Sequence, residues 1–454
     1  MNRELRRKIV GMVIALTIVA ICSTPQFKSV VNFPEEVRLQ SGSTADLPLN
    51  IPFALYVRSD RHGMVRLNGE PLGDQWRVVN SPIRIESESA GRVNLEFRLF
   101  GLIPFKSVVV DIIPTIHVVP GGQSIGVVLQ ADGVIVVGFA AVEGPDGRVY
   151  HPARDRGVRV GDVITHVDGR PVRSQRELSA KIQAAGESGR AVTLTLQRGE
   201  QTLQRPVQPR RAKDGRYLLG IFVRDSAAGV GTLTFHERTT GKYVAIGHVI
   251  SDSETNRPIE VRSGQILSAE VSTVHQGKQG SPGEKVGVVT GNAVVLGNIE
   301  RNTPFGIVGT LKTELVNPYY ESIPVALASE VVEGPAEIIT VISGRRMEKF
   351  RVEILRVRQQ RWPDDKGLVV EIVDERLLRA TGGIIQGMSG SPIIQKGRLV
   401  GAITHVFVND PTRGYGVYAE WMLRESGILE ELQRRYAEKT EETSFSGYGR
   451  RKAS

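Results

Sequence analysis

Apolar residues between Ile51 and Ile113 recur in short alternating runs. Examples are Phe53-Ala54-Leu55-Tyr56-Val57, Val65-Arg66-Leu67, Ile83-Arg84-Ile85, Val93-Asn94-Leu95-Glu96-Phe97 and Val108-Val109-Val110. Period-two spacing broken by turns such as Leu67-Asn68-Gly69 predicts a small β-domain over residues 51–115. No chemistry-bearing cluster falls in it. The pattern then changes over residues 116–208. Ser124–Leu129 and Val134–Val137 predict strands, Gly161-Asp162 a tight turn, Val163–Val167 a buried strand and Asp168-Gly169 a hairpin turn. Ser174 followed by Glu177 forms a capping box for a helix to about Ala185, and a hairpin of Val192–Arg198 with Thr202–Val207 closes the unit. Residues 209–216 are basic and turn-rich, which predicts a linker. A further strand-rich domain spans 217–425, and residues 426–454 start as a helix (Ile428, Leu429, Leu432) and end in a polar, disordered tail.

The N-terminus follows another rule. Arg3, Arg6, Arg7 and Lys8 precede an apolar run from Ile9 to Cys22, which Ser23-Thr24-Pro25 breaks. This predicts a signal sequence or transmembrane anchor over residues 1–25, with the positive charges inside and the rest of the chain exported. The run is shorter than the ~20 residues of a full span, so a cleaved signal and a retained anchor both stay open. Residues 26–50 are polar and irregular and read as a juxtamembrane linker.

Composition narrows the function classes. At 454 residues the chain is long enough for about three domains of ~100–200 residues. The net charge of +9 is spread along the chain without an arginine block interleaved with aromatics, which argues against nucleic-acid binding. Cys22 is the only cysteine, so neither a disulfide nor a cysteine zinc cluster is available. No metal or cofactor signature appears, and stability must come from apolar burial.

The chemistry concentrates in Gly387-Met388-Ser389-Gly390-Ser391-Pro392. A serine on a glycine-flanked turn lets two backbone N–H groups converge on one point, where they stabilise the oxyanion formed when a hydroxyl attacks a carbonyl. The donors assigned are the amides of Gly387 and Ser389. Ser391, beside Pro392 where the chain re-enters a strand, is the weaker nucleophile. A serine needs a base. Of the 8 histidines, His248 in Gly247-His248-Val249-Ile250-Ser251-Asp252 follows an apolar strand at a turn and is the best candidate. Asp374, which ends the strand Leu368–Val373, and Asp252 are the candidate orienting acids. Thr404 and His405, on the second strand after the nucleophile, are expected to line the substrate pocket.

The stretch 116–208 resembles a PDZ domain of the circularly ordered type found in secreted bacterial proteases. That resemblance implies a peptide added as a strand, with Ser124, Ile125, Gly126 and Val127 as the binding loop. Tyr217–Val230, Gly247–Asp252, Gly280–Lys285, Gly387–Pro392, His405–Pro411 and Glu420–Leu423 are similar to the stage IV sporulation protein B peptidase family. The resemblance implies a mainly β protein with a membrane anchor, a PDZ domain and a trypsin-like double β-barrel. It carries the catalytic Ser and His onto Ser389 and His248, and the acid onto Asp374. It further implies action between the two membranes of a developing spore, on a regulatory membrane protein of an intramembrane protease complex and on itself in trans. Activation of a late sigma factor would follow. The competing reading is a non-catalytic, PDZ-based scaffold on a membrane. A trypsin-like heat-shock protease normally places the PDZ after its catalytic domain, unlike this order.

Overall fold

The structure is a computed structural model that describes residues 3–434, except 32, 48, 50–52, 289–292, 361 and 433. The chain divides into two compact units, Met1–Ile116 and His117–Ser454.

The first unit opens with helices Arg3–Ser23 and Pro25–Val31. Among the described residues no single helix is long and apolar enough to cross a membrane. Gly11–Ser23 and Pro25–Val31 pass that test together, bent by 69°. Two sheets follow. One runs in the order Glu36–Gln40, Ile103–Ile113, Gly91–Leu99, Leu55–Ser59, Arg77–Val79; the other runs Thr44–Leu47, Ile83–Ser87, Val65–Leu67, Glu70–Pro71. Alternation places Leu55, Val57, Val93, Leu95 and Phe97 of the first sheet in one core with Ile83, Ile85, Val65 and Leu67 of the second. Two of these strands, Glu36–Gln40 and Thr44–Leu47, lie in the stretch read as a linker. Glu36–Gln40 pairs in parallel with Val109–Ile113, which satisfies a backbone that the polar sequence alone leaves unassigned.

The second unit is organised by two 16-residue strands, Ser124–Phe139 and Ile221–His236. They pair antiparallel from Ser124↔Thr232 to Phe139↔Ile221, with irregularities at Gln130/Ile135 and Val136/Gly138. Beyond the first irregularity, Val134, Val136, Ile221 and Val223 pack on a core with Ile164, Val167, Leu178, Ile182, Leu194 and Leu196. That core holds the helix Gln175–Glu187, capped by Ser174 accepting from the Glu177 amide. Before the irregularity, the same two strands join a first β-barrel with Val261–Ser268, Lys242–Ala245, Gly306–Thr310 and Val295–Asn298. A bridge between Gly297 and Leu311 draws its edges together. Its core is Ile125, Val127, Leu129, Leu233, Tyr243, Ile266 and Ile307. A second, closed barrel follows: Gly334–Val341, Met347–Val357, Leu368–Ile372, Asp410–Tyr418, Arg398–Phe407, Pro392–Gln395.

The PDZ-like unit is therefore inserted in the hairpin between the first two strands of the first barrel. It does not stand wholly ahead of the peptidase domain. Residues read as a linker at 209–216 belong to it: Arg210–Arg211 pairs with Tyr217–Leu218, and the Lys213 amide donates to the Glu143 carbonyl. Of the tail read over 426–454, the part beyond 434 lies outside the described residues; Ile428 is fully buried.

Asp162, in the Gly161-Asp162 turn, is 1% exposed and accepts from both Nε and Nη2 of Arg198, at 2.7 and 2.8 Å. Removing one partner of a buried pair strands the other charge. Asp162→Ala is expected to cost about 3–5 kcal/mol by chemical denaturation. A cost under about 1 kcal/mol, the range of exposed pairs, would contradict this assignment.

Candidate active site

His248 is presented by a strained turn. Ile246 has φ of +74°, which is rare for a β-branched residue, and Gly247 follows at +81°. The strain is held in place because the Ile246 amide donates to the Thr232 carbonyl at 3.0 Å. The His248 Nδ1 lies 2.9 Å from the Val249 carbonyl oxygen. A carbonyl only accepts, so Nδ1 carries the proton and Nε2 of the neutral ring keeps its lone pair. This is the tautomer a general base needs. Burial pushes the imidazole down from the usual 6.5, against the upward pull of the Val249 carbonyl and the Asp365 charge.

Ser389 sits on the turn that leads into the second barrel's strand Pro392–Gln395. Gly390 has φ of +92°, and a Cβ there would stand 2.2 Å from the Thr232 carbonyl oxygen and 2.4 Å from the Ile246 amide, so only glycine fits. First-barrel backbone thus presses directly on the Ser389 turn. Thr232 grips it twice: its amide donates to the Ser389 carbonyl at 3.1 Å and its hydroxyl to the Gly387 carbonyl at 2.8 Å. The Ser389 hydroxyl donates to the Thr404 carbonyl at 2.6 Å, and the next residue, His405, lies with its ring centroid 4.8 Å from that of His248. Ser389 and His248 accordingly flank one seam between the barrels.

Within this turn the amides of Gln386, Met388, Gly390 and Ser391 each donate to a backbone carbonyl. Those of Gly387 and Ser389 donate to no group among the described residues. They are the two amides that an oxyanion would require. Ser391 is fully buried and has no access to a substrate.

Asp374 is engaged elsewhere. Its carboxylate caps the helix Glu375–Thr381, accepting from the amides of Arg376 and Arg351 and pairing with the Arg376 guanidinium at 3.0 Å. The Arg376 hydrogen bonds hold it at about 2. It lines a cavity of about 440 Å³ with Glu337, Lys349, Arg351, Arg376 and Arg379, and it makes no hydrogen bond to His248. The acidic group that acts on His248 is Asp365, in the Pro363-Asp364-Asp365-Lys366 loop between two second-barrel strands. Burial and a hydrogen bond with Asp364 push its own carboxyl up. Asp252, the other sequence candidate, caps its local turn, accepting from Glu254 and Thr255, and pairs with Arg224. His405 is exposed beside His248, whereas the Thr404 side chain is buried, its methyl 3.2 Å from where a Cβ on Gly247 would stand. Thr404 contributes its carbonyl to the site and no pocket wall.

The predicted peptide-binding loop needs correction. Ile125, Gly126 and Val127 pair on one side with Gly229–Gly231 and on the other with Ile266–Ser268, while Ser124 pairs with Thr232 and is buried. A strand with both edges satisfied cannot accept another. The open edge is Ile221–Arg224, which pairs with Ile135–Phe139 on one side and with no strand on the other among the described residues. The helix Gln175–Glu187 runs along it. The Gln175 amide donates to Asp225 at one end, and the Tyr217 amide donates to Gln183 at the other, where the Tyr217 ring packs against Gly186. Gly220, at φ of +71°, turns the chain into this strand. Leu219-Gly220-Ile221 carries the same apolar-Gly-apolar signal as Ile125-Gly126-Val127, so sequence could not separate them.

Residues 215–423 match the family model for SpoIVB peptidase S55, and residues 125–208 match the PDZ domain model. Among curated proteins, a putative zinc metalloprotease of Xylella fastidiosa is 33% identical over 64 residues, and the chain spans 14% of that relative's length. Among solved structures, the PDZ domain of an SdrC-like protein from Listeria monocytogenes is 28% identical, covering 20% of this chain and 87% of that one, with a TM-score of 0.17. The HtrA-type protease AlgW with a decapeptide is 11% identical, covering 46% and 55%, with a TM-score of 0.25.

A serine hydroxyl activated at this site would need a neutral imidazole, so fluorophosphonate labelling is expected to fall as pH drops through the His248 pKa. Because that pKa is lowered from 6.5, the acid limb of fluorophosphonate labelling is expected to have its midpoint below 6.5. A midpoint above 7 would contradict the burial argument.

Proposed function

We propose, on the match of residues 215–423 to the SpoIVB peptidase S55 model, that the chain is a serine endopeptidase in which Ser389 is the nucleophile, His248 the base, and the amides of Gly387 and Ser389 the oxyanion donors. The observation that carries this reading is the pair of unpartnered amides flanking Ser389 in a turn whose other amides are all bonded. In the mechanism, the Ser389 hydroxyl turns from the Thr404 carbonyl toward His248 and passes its proton to Nε2 as Oγ attacks the scissile carbonyl. The imidazolium then protonates the leaving amine, and water, activated by the same ring, hydrolyses the acyl-enzyme. Asp365 supplies the negative field that favours the imidazolium, in place of the Asp374 carboxylate.

The physiological reading follows from the family. The enzyme is anchored or exported by its N-terminal segment and acts outside the cytoplasm in sporulation signalling. It cleaves itself and a regulatory membrane protein, which releases an intramembrane protease and activates a late sigma factor. The PDZ-like unit places such a partner as a strand along Ile221–Arg224. A purely adhesive scaffold has no use for a free amide pair beside an accessible serine, so the enzyme reading is preferred.

Ser389→Ala is expected to abolish self-cleavage of the full chain and fluorophosphonate labelling, with turnover falling by a factor on the order of 10⁶. Uncut chains and no label in wild type and variant alike would leave the scaffold.

A further inference from the structure

The peptide that carries the Gly387 amide is gripped by a segment that the catalytic description does not use. The Lys285 amide donates to the Gln386 carbonyl at 2.9 Å, and the Gln386 amide donates to the Gly283 carbonyl at 2.8 Å. In a trans peptide the C=O and N–H point opposite ways. Fixing the Gln386 carbonyl on Lys285 therefore turns the Gly387 amide away from that segment and leaves it unbonded. The lysine stem lies under the same glycine: a Cβ at Gly387 would stand 3.2 Å from Lys285 Cβ and 3.4 Å from its Cγ and Cδ. At the far end Nζ donates to Thr340 Oγ1 at 2.7 Å. Thr340 is fully buried in the second-barrel strand Gly334–Val341.

Lys285 itself is 5% exposed, and among the described residues no carboxylate pairs with it. Burial alone pushes its amine down to about 7. A lysine buried without an anion costs stability, and a methionine of similar length would fill the space without that cost. Its position under the turn supplies the role that stability does not.

We propose that Lys285 is a positioning residue for the oxyanion site. Its bond to Thr340 holds Gly283–Lys285 against the second barrel, and that segment sets the direction of the Gly387 amide. This rests on the reading of Gly387 and Ser389 as oxyanion donors. Thr232 fixes the turn from the first barrel through the Gly387 and Ser389 carbonyls, and Lys285 fixes it through the preceding peptide, so the two grips are independent.

The test uses the full chain as wild type, Lys285→Met and Thr340→Val. It measures the fluorophosphonate labelling rate, kcat and KM for p-nitrophenyl acetate, and the melting temperature. Loss of a whole oxyanion donor costs roughly 10²–10³ in kcat, so misaiming one is expected to cost about 10–100-fold in Lys285→Met and about 3–10-fold in Thr340→Val. KM is expected to stay within about twofold; Tm is expected to hold or rise in Lys285→Met, which removes a buried amine that has no carboxylate, and to fall in Thr340→Val, which leaves that amine without its hydrogen bond. A kcat loss without a Tm loss is what a merely structural lysine would not produce. Should Lys285→Met fail to fold, Thr340→Val decides alone, since it removes one hydroxyl from the same bond. Wild-type labelling at Ser389 with unchanged rates in the variants overturns this inference only, as does a Lys285→Met loss that tracks its melting temperature. A wild type that Ser389 does not label overturns both readings.

Discussion

The Ser389 turn is held by backbone that belongs to another barrel, and the joint between the two barrels depends on that constraint. Thr232 donates from its amide and from its hydroxyl into the Gly387–Ser389 turn, while its carbonyl receives the Ile246 amide. One residue thereby ties the serine turn of the second barrel to the histidine turn of the first. The contact is so close that Gly390 tolerates no side chain, and Ile246 beside it sits at positive φ. Such strain costs of order 1–3 kcal/mol, and the surrounding strands must over-determine it. The seam carries a further cost, because the buried hydroxyls of Ser391 and Thr404 have no partner among the described residues. Unsatisfied polar groups of this kind cost about 1–3 kcal/mol each, so this joint is not the arrangement that stability alone would favour.

Thr232 also belongs to the strand Ile221–His236, whose opposite end forms the open edge of the PDZ-like unit. From Val223 to Thr232 the strand spans roughly 30 Å, at ~3.3 Å per residue. The edge that suits an added peptide and the residue that grips the Ser389 turn, Thr232, are therefore parts of one continuous element. Backbone pairing with Ser124–Phe139 runs along nearly its whole length.

The sequence made local chemistry legible and long-range pairing much less so. Period-two runs, the Ser174 capping box and the Gly-flanked Ser389 turn all announce themselves within a few residues, because turn chemistry and caps are local. The two long strands do not. Ser124–Leu129 reads as one strand start and Tyr217 onward as another domain, since nothing local tells that the chain returns to pair with itself some hundred residues later. The same limit misplaced the peptide edge, which depends on which strand keeps an unpaired side. Asp374 shows a different failure. Its distance along the chain from Ser389 suits an orienting acid, but an aspartate before a helix is equally suited to capping, and its hydrogen bonds go there. Asp365 has no local signal beyond an acidic pair in a loop. Lys285 has none at all, because a buried lysine is identical in sequence to an exposed one.

The inserted arrangement of the PDZ-like unit has a topological consequence. Modules strung in series can be parted by a single scission between them. Here both ends of the insertion are built into the first barrel, so cutting the exposed turn at Asp214-Gly215 would yield two polypeptides that remain interlocked through Ser124–Phe139 and Ile221–His236. A nick at that point changes the mass of the fragments on a denaturing gel and leaves the folded particle whole.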